Sequence, residues 1–236
     1  MYIRSFEVFR LQKNLYYLKT SKLFFLTNRI VLKIRNFRTT HYTIQFMLQR
    51  ICHTILYNWM GWRTEVTEPT PEKCIICVAP HTSNWDFLIG ELYYTSIGLT
   101  SNFLMKKEWF FWPFGAIFRR LGGIPVERSR HTSLTDQMAE KARQATHFSL
   151  AVTPEGTRSL APKWKRGFYF IALKANLPIL LYAIDFPNKR IVCTQTIIPS
   201  GDVEADMQTI MQYYSQFQGK HPEKFTVEKK VLKFRV

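Results

Sequence analysis

Acidic residues are scarce in this sequence: 17 Asp and Glu stand against 33 Lys and Arg, for a formal net charge of +16. Such an imbalance calls for an anionic partner, whether nucleic acid, anionic lipid or an acidic protein. Cysteine is sparse too, with four residues. Cys74 and Cys77 sit in an apolar run, Cys-Ile-Ile-Cys-Val-Ala, that reads as a buried strand. Side chains three apart on a strand point to opposite faces, so this pair suits neither a zinc site nor a redox disulfide. Free thiols in a core fit a reducing cytoplasm. No apolar run reaches the length of about 18 residues that a spanning helix needs. The N-terminus lacks a signal peptide's succession of charged, apolar and small-residue regions. Repeats and low-complexity linkers are missing, and so are zinc-finger, RNP and basic-zipper patterns, which argues against nucleic acid as the partner.

What is present is apolar and aromatic. Hydrophobic residues make up 46% of the chain, enough to build a core, and the 19 Phe and six Trp suggest a surface that meets something greasy. Residues 1–46 carry nine Lys/Arg and one acid, Glu7, for +8; the remainder holds 24 basic and 16 acidic groups, for another +8. Basic and aromatic residues alternate there, which reads equally as a membrane-surface segment or as a loosely ordered extension. Ile44, Met47, Leu48, Ile51, Ile55, Leu56 and Trp59 follow with helical spacing. The expected organisation is a basic, aromatic, membrane-associating segment over 1–62 with amphipathic helices, then one domain over 63–236.

From residue 74 short apolar runs alternate with helical segments. Strands are expected at 74–79, 102–105, 124–127, 149–153, 178–185 and 191–198. Helices are expected at 85–98, 109–121, about 133–147, 167–175 and 203–217. Ser133 and Asp136 form a capping pattern for the third of these. The alternation predicts an α/β fold with a largely parallel central sheet flanked by helices. Ligands of such sheets gather at the carboxyl ends of strands. Three polar clusters fall there: His-Thr-Ser-Asn-Trp-Asp at 81–86, Arg128, and Glu-Gly-Thr-Arg-Ser at 155–159.

A histidine can take a proton from a hydroxyl near neutral pH if a carboxylate holds its other ring nitrogen. His81 and Asp86 are candidates for such a pair, although one pair at this spacing also arises by chance. Arg128 and Arg158 offer planar forks for phosphate oxygens, and Gly156 allows close backbone approach. Each arginine alone reads as readily as a surface residue balanced by Glu127 or Glu155.

The ordered combination is more specific. H-x-x-x-x-D at 81–86, Gly-Gly-Ile-Pro-Val-Glu-Arg at 122–128 and Glu-Gly-Thr-Arg-Ser at 155–159 resemble the 1-acylglycerol-3-phosphate acyltransferase family, over roughly residues 74–186. Lys106-Lys107-Glu108 and Pro113-Phe114-Gly115 resemble its intervening segments. The second motif departs by ending Val126-Glu127-Arg128, with Pro125 at a position that is usually bulky. The fourth block keeps Pro178 but has Leu181 at its second proline position.

The resemblance implies a glycerol-3-phosphate acyltransferase-like fold. It implies His81 as general base, Asp86 as its orienting partner, and Lys106, Arg128, Glu155, Gly156, Thr157 and Arg158 as acceptor-binding residues. An acyl group would pass from acyl-CoA or acyl carrier protein to lysophosphatidate in phospholipid biosynthesis, with no cofactor, metal or acyl-enzyme. The expected place is the cytoplasmic face of a membrane with anionic lipid. Other acceptors (a lysophospholipid, a lyso-ornithine lipid, glycerol 3-phosphate) stay open, as does a non-catalytic basic membrane- or nucleic-acid-binding protein.

Overall fold

The short apolar runs of the sequence become strands of one sheet. The computed structural model describes residues 43–120, 122–126 and 133–227. Most of the basic segment expected over 1–46 therefore lies outside the described residues, as does Arg128. Residues 43–53 form α1, which passes into a π-helical turn at Thr54–Trp59. The sheet lies in the compact unit Gln49–Val236.

Its strands are β1 (Arg63–Val66), β2 (Lys73–Val78), β3 (Asn102–Lys106), β4 (Gly123–Val126), β5 (Phe148–Val152), β6 (Ile179–Asp185), β7 (Arg190–Cys193) and β8 (Thr196–Ile197). The order across the sheet is β1-β7-β6-β2-β5-β3-β4, with β8 on β6. The run β6-β2-β5-β3-β4 is parallel throughout, while β7 and β8 lie antiparallel to β6. The helices after α1 are α2 (Trp85–Ser96), α3 (Phe114–Arg120), α4 (Leu134–Gln144), α5 (Gly167–Ala175) and α6 (Val203–Tyr214).

Strand alternation divides the core between the two faces of the sheet. On one face Ile75, Cys77, Ile179, Leu181 and Ala183 pack with Met138 and Ala142 of α4, Phe168 and Tyr169 of α5, and Ile210 and Tyr214 of α6. On the other, Cys74, Ile76, Leu180, Tyr182 and Ile184 pack with Leu56 and with Ile89, Tyr93 and Tyr94 of α2. Cys74 and Cys77 thus sit buried on opposite faces, as strand geometry requires.

The structure departs from the sequence pattern in three places. The helix expected over 109–121 is a 3₁₀ turn at Lys107–Trp109 followed by α3 from Phe114, because Pro113 lacks an N–H and its ring would clash with the preceding helical turn. The strand expected over 191–198 is two strands, each pairing with a different end of β6. β1 escaped the apolar pattern because it is an edge strand with three exposed residues out of four. The cap at Ser133 is present, with its side chain accepting from Asp136 N.

β6 is buried along its whole length, so its side chains have no room to relax toward solvent. Replacing Leu180 by alanine should lower the unfolding free energy by about 2–5 kcal/mol, from lost burial plus the cavity left behind. Chemical denaturation checks this, and an unchanged midpoint would contradict a close-packed second face.

Candidate active site

β2 ends at Val78, and residues 79–84 turn the chain into α2. Asp86, in the first turn of that helix, gathers the loop before it. Its Oδ2 accepts from Thr82 N at 2.8 Å and Ser83 N at 2.9 Å, and its Oδ1 accepts from Ser83 Oγ at 3.1 Å. His81 Nδ1 stands 3.1 Å from the same Oδ2. The aspartate is 2% exposed, whereas the histidine side chain keeps 18% of its surface. An ionised carboxylate can only accept, so Nδ1 carries the ring hydrogen and Nε2 presents its lone pair. That is the tautomer a general base needs.

The second loop follows β5, which pairs with β2 in parallel, so the two loops leave the same sheet edge side by side. Glu155 turns inward: it is 3% exposed, and its Oε1 accepts from His81 N at 2.7 Å. Its Oε2 has no hydrogen-bond partner among the described residues. Burial pushes this carboxyl up to about 8, the His81 amide opposes the rise, and the charge of Asp86 adds to it. Gly156 has φ +65°, and a Cβ there would stand 2.7–2.8 Å from Nζ, Cδ and Cε of Lys165. A side chain at 156 would therefore be strained by backbone conformation and crowded by lysine. Thr157 Oγ1 accepts from Ser159 N at 3.2 Å, which steadies the loop tip. Arg158 is exposed, and its Nη1 donates to Asn84 Oδ1, joining the second loop to the first.

The structure thus brings together His81, Asp86, Glu155, Gly156, Thr157 and Arg158. Lys106 is the last residue of β3, the strand beside β5, so its backbone ends at the same edge. Arg128 follows β4, one strand further out, beyond the described residues. Sequence reasoning missed a C-terminal strap at this edge. Phe186 N donates to Gln218 O at 3.0 Å, His221 N donates to Thr82 Oγ1 at 3.2 Å, and Trp164 Nε1 donates to Thr226 O at 3.2 Å. The signal that could have found it is Gly219, alone in a polar stretch, where a Cβ would meet Thr82 Oγ1 at 2.5 Å.

The buried carboxyl sets a pH dependence. Folded Glu155 holds its proton up to about 8, whereas an unfolded glutamate releases it near the ordinary 4.5. Its contribution to stability is therefore complete below 4.5 and is lost as pH rises toward about 8. Glu155→Gln should flatten that decline, and denaturant midpoints measured across the window check it. Equal slopes for parent and variant would refute a neutral Glu155.

Residues 62–185 match the family model described as Acyltransferase. The span opens at Trp62, runs through both loops and closes at the end of β6. Among solved structures, the chain is similar to the 1-acyl-sn-glycerophosphate (LPA) acyltransferase PlsC from Thermotoga maritima. The TM-score is 0.52 at 17% identity, covering 76% of this chain and 80% of that one, a likeness of fold. No curated protein matches the chain significantly. Since the matched model covers more than half of the sequence and includes the His81–Asp86 loop, the chain belongs to the acyltransferase family.

Proposed function

We propose that this acyltransferase moves a fatty acyl group from acyl-CoA or acyl carrier protein to the free hydroxyl of lysophosphatidate, in phospholipid biosynthesis. The observation that carries the reading is the 3.1 Å contact of His81 Nδ1 with a fully buried Asp86, which leaves Nε2 as the accepting atom. The acceptor hydroxyl gives its proton to Nε2 as its oxygen attacks the thioester carbonyl. The C–S bond breaks, and the departing thiolate takes that proton from the imidazolium. Asp86 holds the ring in place and stabilises its transient positive charge. No covalent acyl-enzyme is needed, because the hydroxyl itself attacks.

Arg158 and the loop Gly156–Thr157 would hold the acceptor phosphate, and Lys106 and Arg128 are proposed to share that role. Glu155 supports this in two ways. It pins the backbone of His81, and as a neutral carboxyl below about 8 it adds no negative charge beside a phosphate.

The acyl chain and the membrane would meet the protein at its aromatic surface. Trp112 is 89% exposed, and Phe111, Phe114, Ile117, Phe87 and Leu88 are exposed as well. Arg119 and Arg120 close α3, next to these rings, and suit an anionic surface. Among the described residues, no helix is long and apolar enough to cross a membrane. The proposed place of attachment is the cytoplasmic face of a membrane.

His81→Ala should cut acyl transfer by about 10²–10⁴-fold while folding and lipid binding persist. The decisive assay supplies lysophosphatidate and its dephosphorylated counterpart with each donor type. Faster transfer to the phosphorylated acceptor is expected, and equal rates would remove the phosphate-binding role of the arginines. Trp112→Ser should reduce co-sedimentation with anionic vesicles without changing the thermal midpoint; undiminished binding would move the membrane contact elsewhere.

A further inference from the structure

The strap at 217–227 lies outside the matched family span, yet Gly219 and His221 both contact the loop that carries the catalytic pair. Phe217 and Val227 anchor its two ends in the core. Between them Gly219 lies so close to Thr82 and Pro80 that a Cβ would stand 2.5 Å and 3.2 Å from their side-chain atoms. His221 N donates to Thr82 Oγ1 at 3.2 Å. The residue between these two contacts is Lys220, whose Nζ sits 4.8 Å from the centre of the Trp85 ring. The backbone on both sides of Lys220 is therefore fixed, and its ammonium rests on an aromatic face. Trp85 directly precedes Asp86, and its other neighbour, Asn84, accepts from Arg158. Adjacent residues at the start of α2 thus each carry a cation, and the two cations lie 62 positions apart in the sequence.

We propose that Lys220 is a further substrate-binding cation of this site, one that takes a phosphate monoester of the acceptor or of the coenzyme A moiety of the donor. This rests on the acyl-transfer reading above. A lysine held over an exposed indole is partly prepaid in side-chain entropy, and it keeps its three N–H donors available for an anion. The cation–π contact does not neutralise it, so its positive charge adds to that of Arg158 at the loop.

The test uses the full chain with Lys220→Met and Lys220→Arg. Tryptophan fluorescence is titrated with glycerol 3-phosphate and, separately, with coenzyme A, and steady-state transfer is measured with lysophosphatidate and its dephosphorylated counterpart. Lys220→Met should weaken one phosphate ligand about tenfold, the scale of one charge-assisted hydrogen bond, with kcat unchanged and Lys220→Arg close to the parent. A loss on glycerol 3-phosphate and lysophosphatidate assigns the acceptor's phosphate, and a loss on coenzyme A assigns the donor's. Parent-like titrations of Lys220→Met with both ligands would overturn the proposal, as would an equal loss with the dephosphorylated acceptor while coenzyme A binding is unchanged. A parent that transfers no acyl group to any acceptor would sink the acyl-transfer reading, while the two titrations would still decide Lys220.

Discussion

The site depends on the carboxylate of Asp86. It is buried, so its negative charge must be met by donors supplied locally, and four converge on it: two backbone amides, the Ser83 hydroxyl and the His81 ring. A turn that satisfies one carboxylate from consecutive residues has little freedom left. That rigidity is what allows other segments to attach to it. Glu155 takes the His81 amide, Arg158 reaches Asn84, and the C-terminal strap takes the Thr82 hydroxyl. Removal of the Asp86 charge would therefore disturb His81, its loop and every segment fastened to that loop.

The sheet explains why these loops are neighbours. Parallel strands all discharge their following loops at one edge, and β2 and β5 are direct partners in register from Lys73↔Phe148 to Cys77↔Val152. Such strands must be apolar on both faces, and the two cores described above fulfil this. α6 reinforces the register from one side, since Tyr214 Oη donates to the carbonyl of Cys77 at 2.6 Å, one residue before the end of β2. Packing on both faces thus holds the strand end from which His81 projects.

Much of this was legible in the sequence because it follows from local patterns. Six apolar runs gave strands, 3.6-residue spacing gave helices, and Ser133 gave a cap. The His81–Asp86 contact was readable as a spacing whose meaning came from the motifs that follow it. What stayed hidden is tertiary. β1 reads as polar because an edge strand needs no apolar face. The break before α3 was marked by Pro113, but the aromatic run around it looked like one helical stripe. The strap could not be read from periodicity at all, since its residues contact a loop more than a hundred positions earlier and do so largely through backbone. Nor does the sequence tell an acceptor-facing glutamate from the inward-turned Glu155.

That last distinction matters for how the site handles charge. Asp86 and Glu155 are both buried, and both bond to His81, Asp86 through the ring and Glu155 through the backbone amide. Asp86 collects four donors, whereas Glu155 collects the single His81 amide and leaves Oε2 unmet among the described residues. Two ionised carboxylates so close would repel each other in a medium that screens poorly. The donor-rich one is the better home for the charge, and the donor-poor one rises to about 8. Placing the single negative charge on Asp86 puts it on the Nδ1 side of His81, where it would strengthen the histidine in the proposed role of base. Under the proposed acyl transfer, the acceptor's phosphate would enter on the other side of the ring, away from that charge.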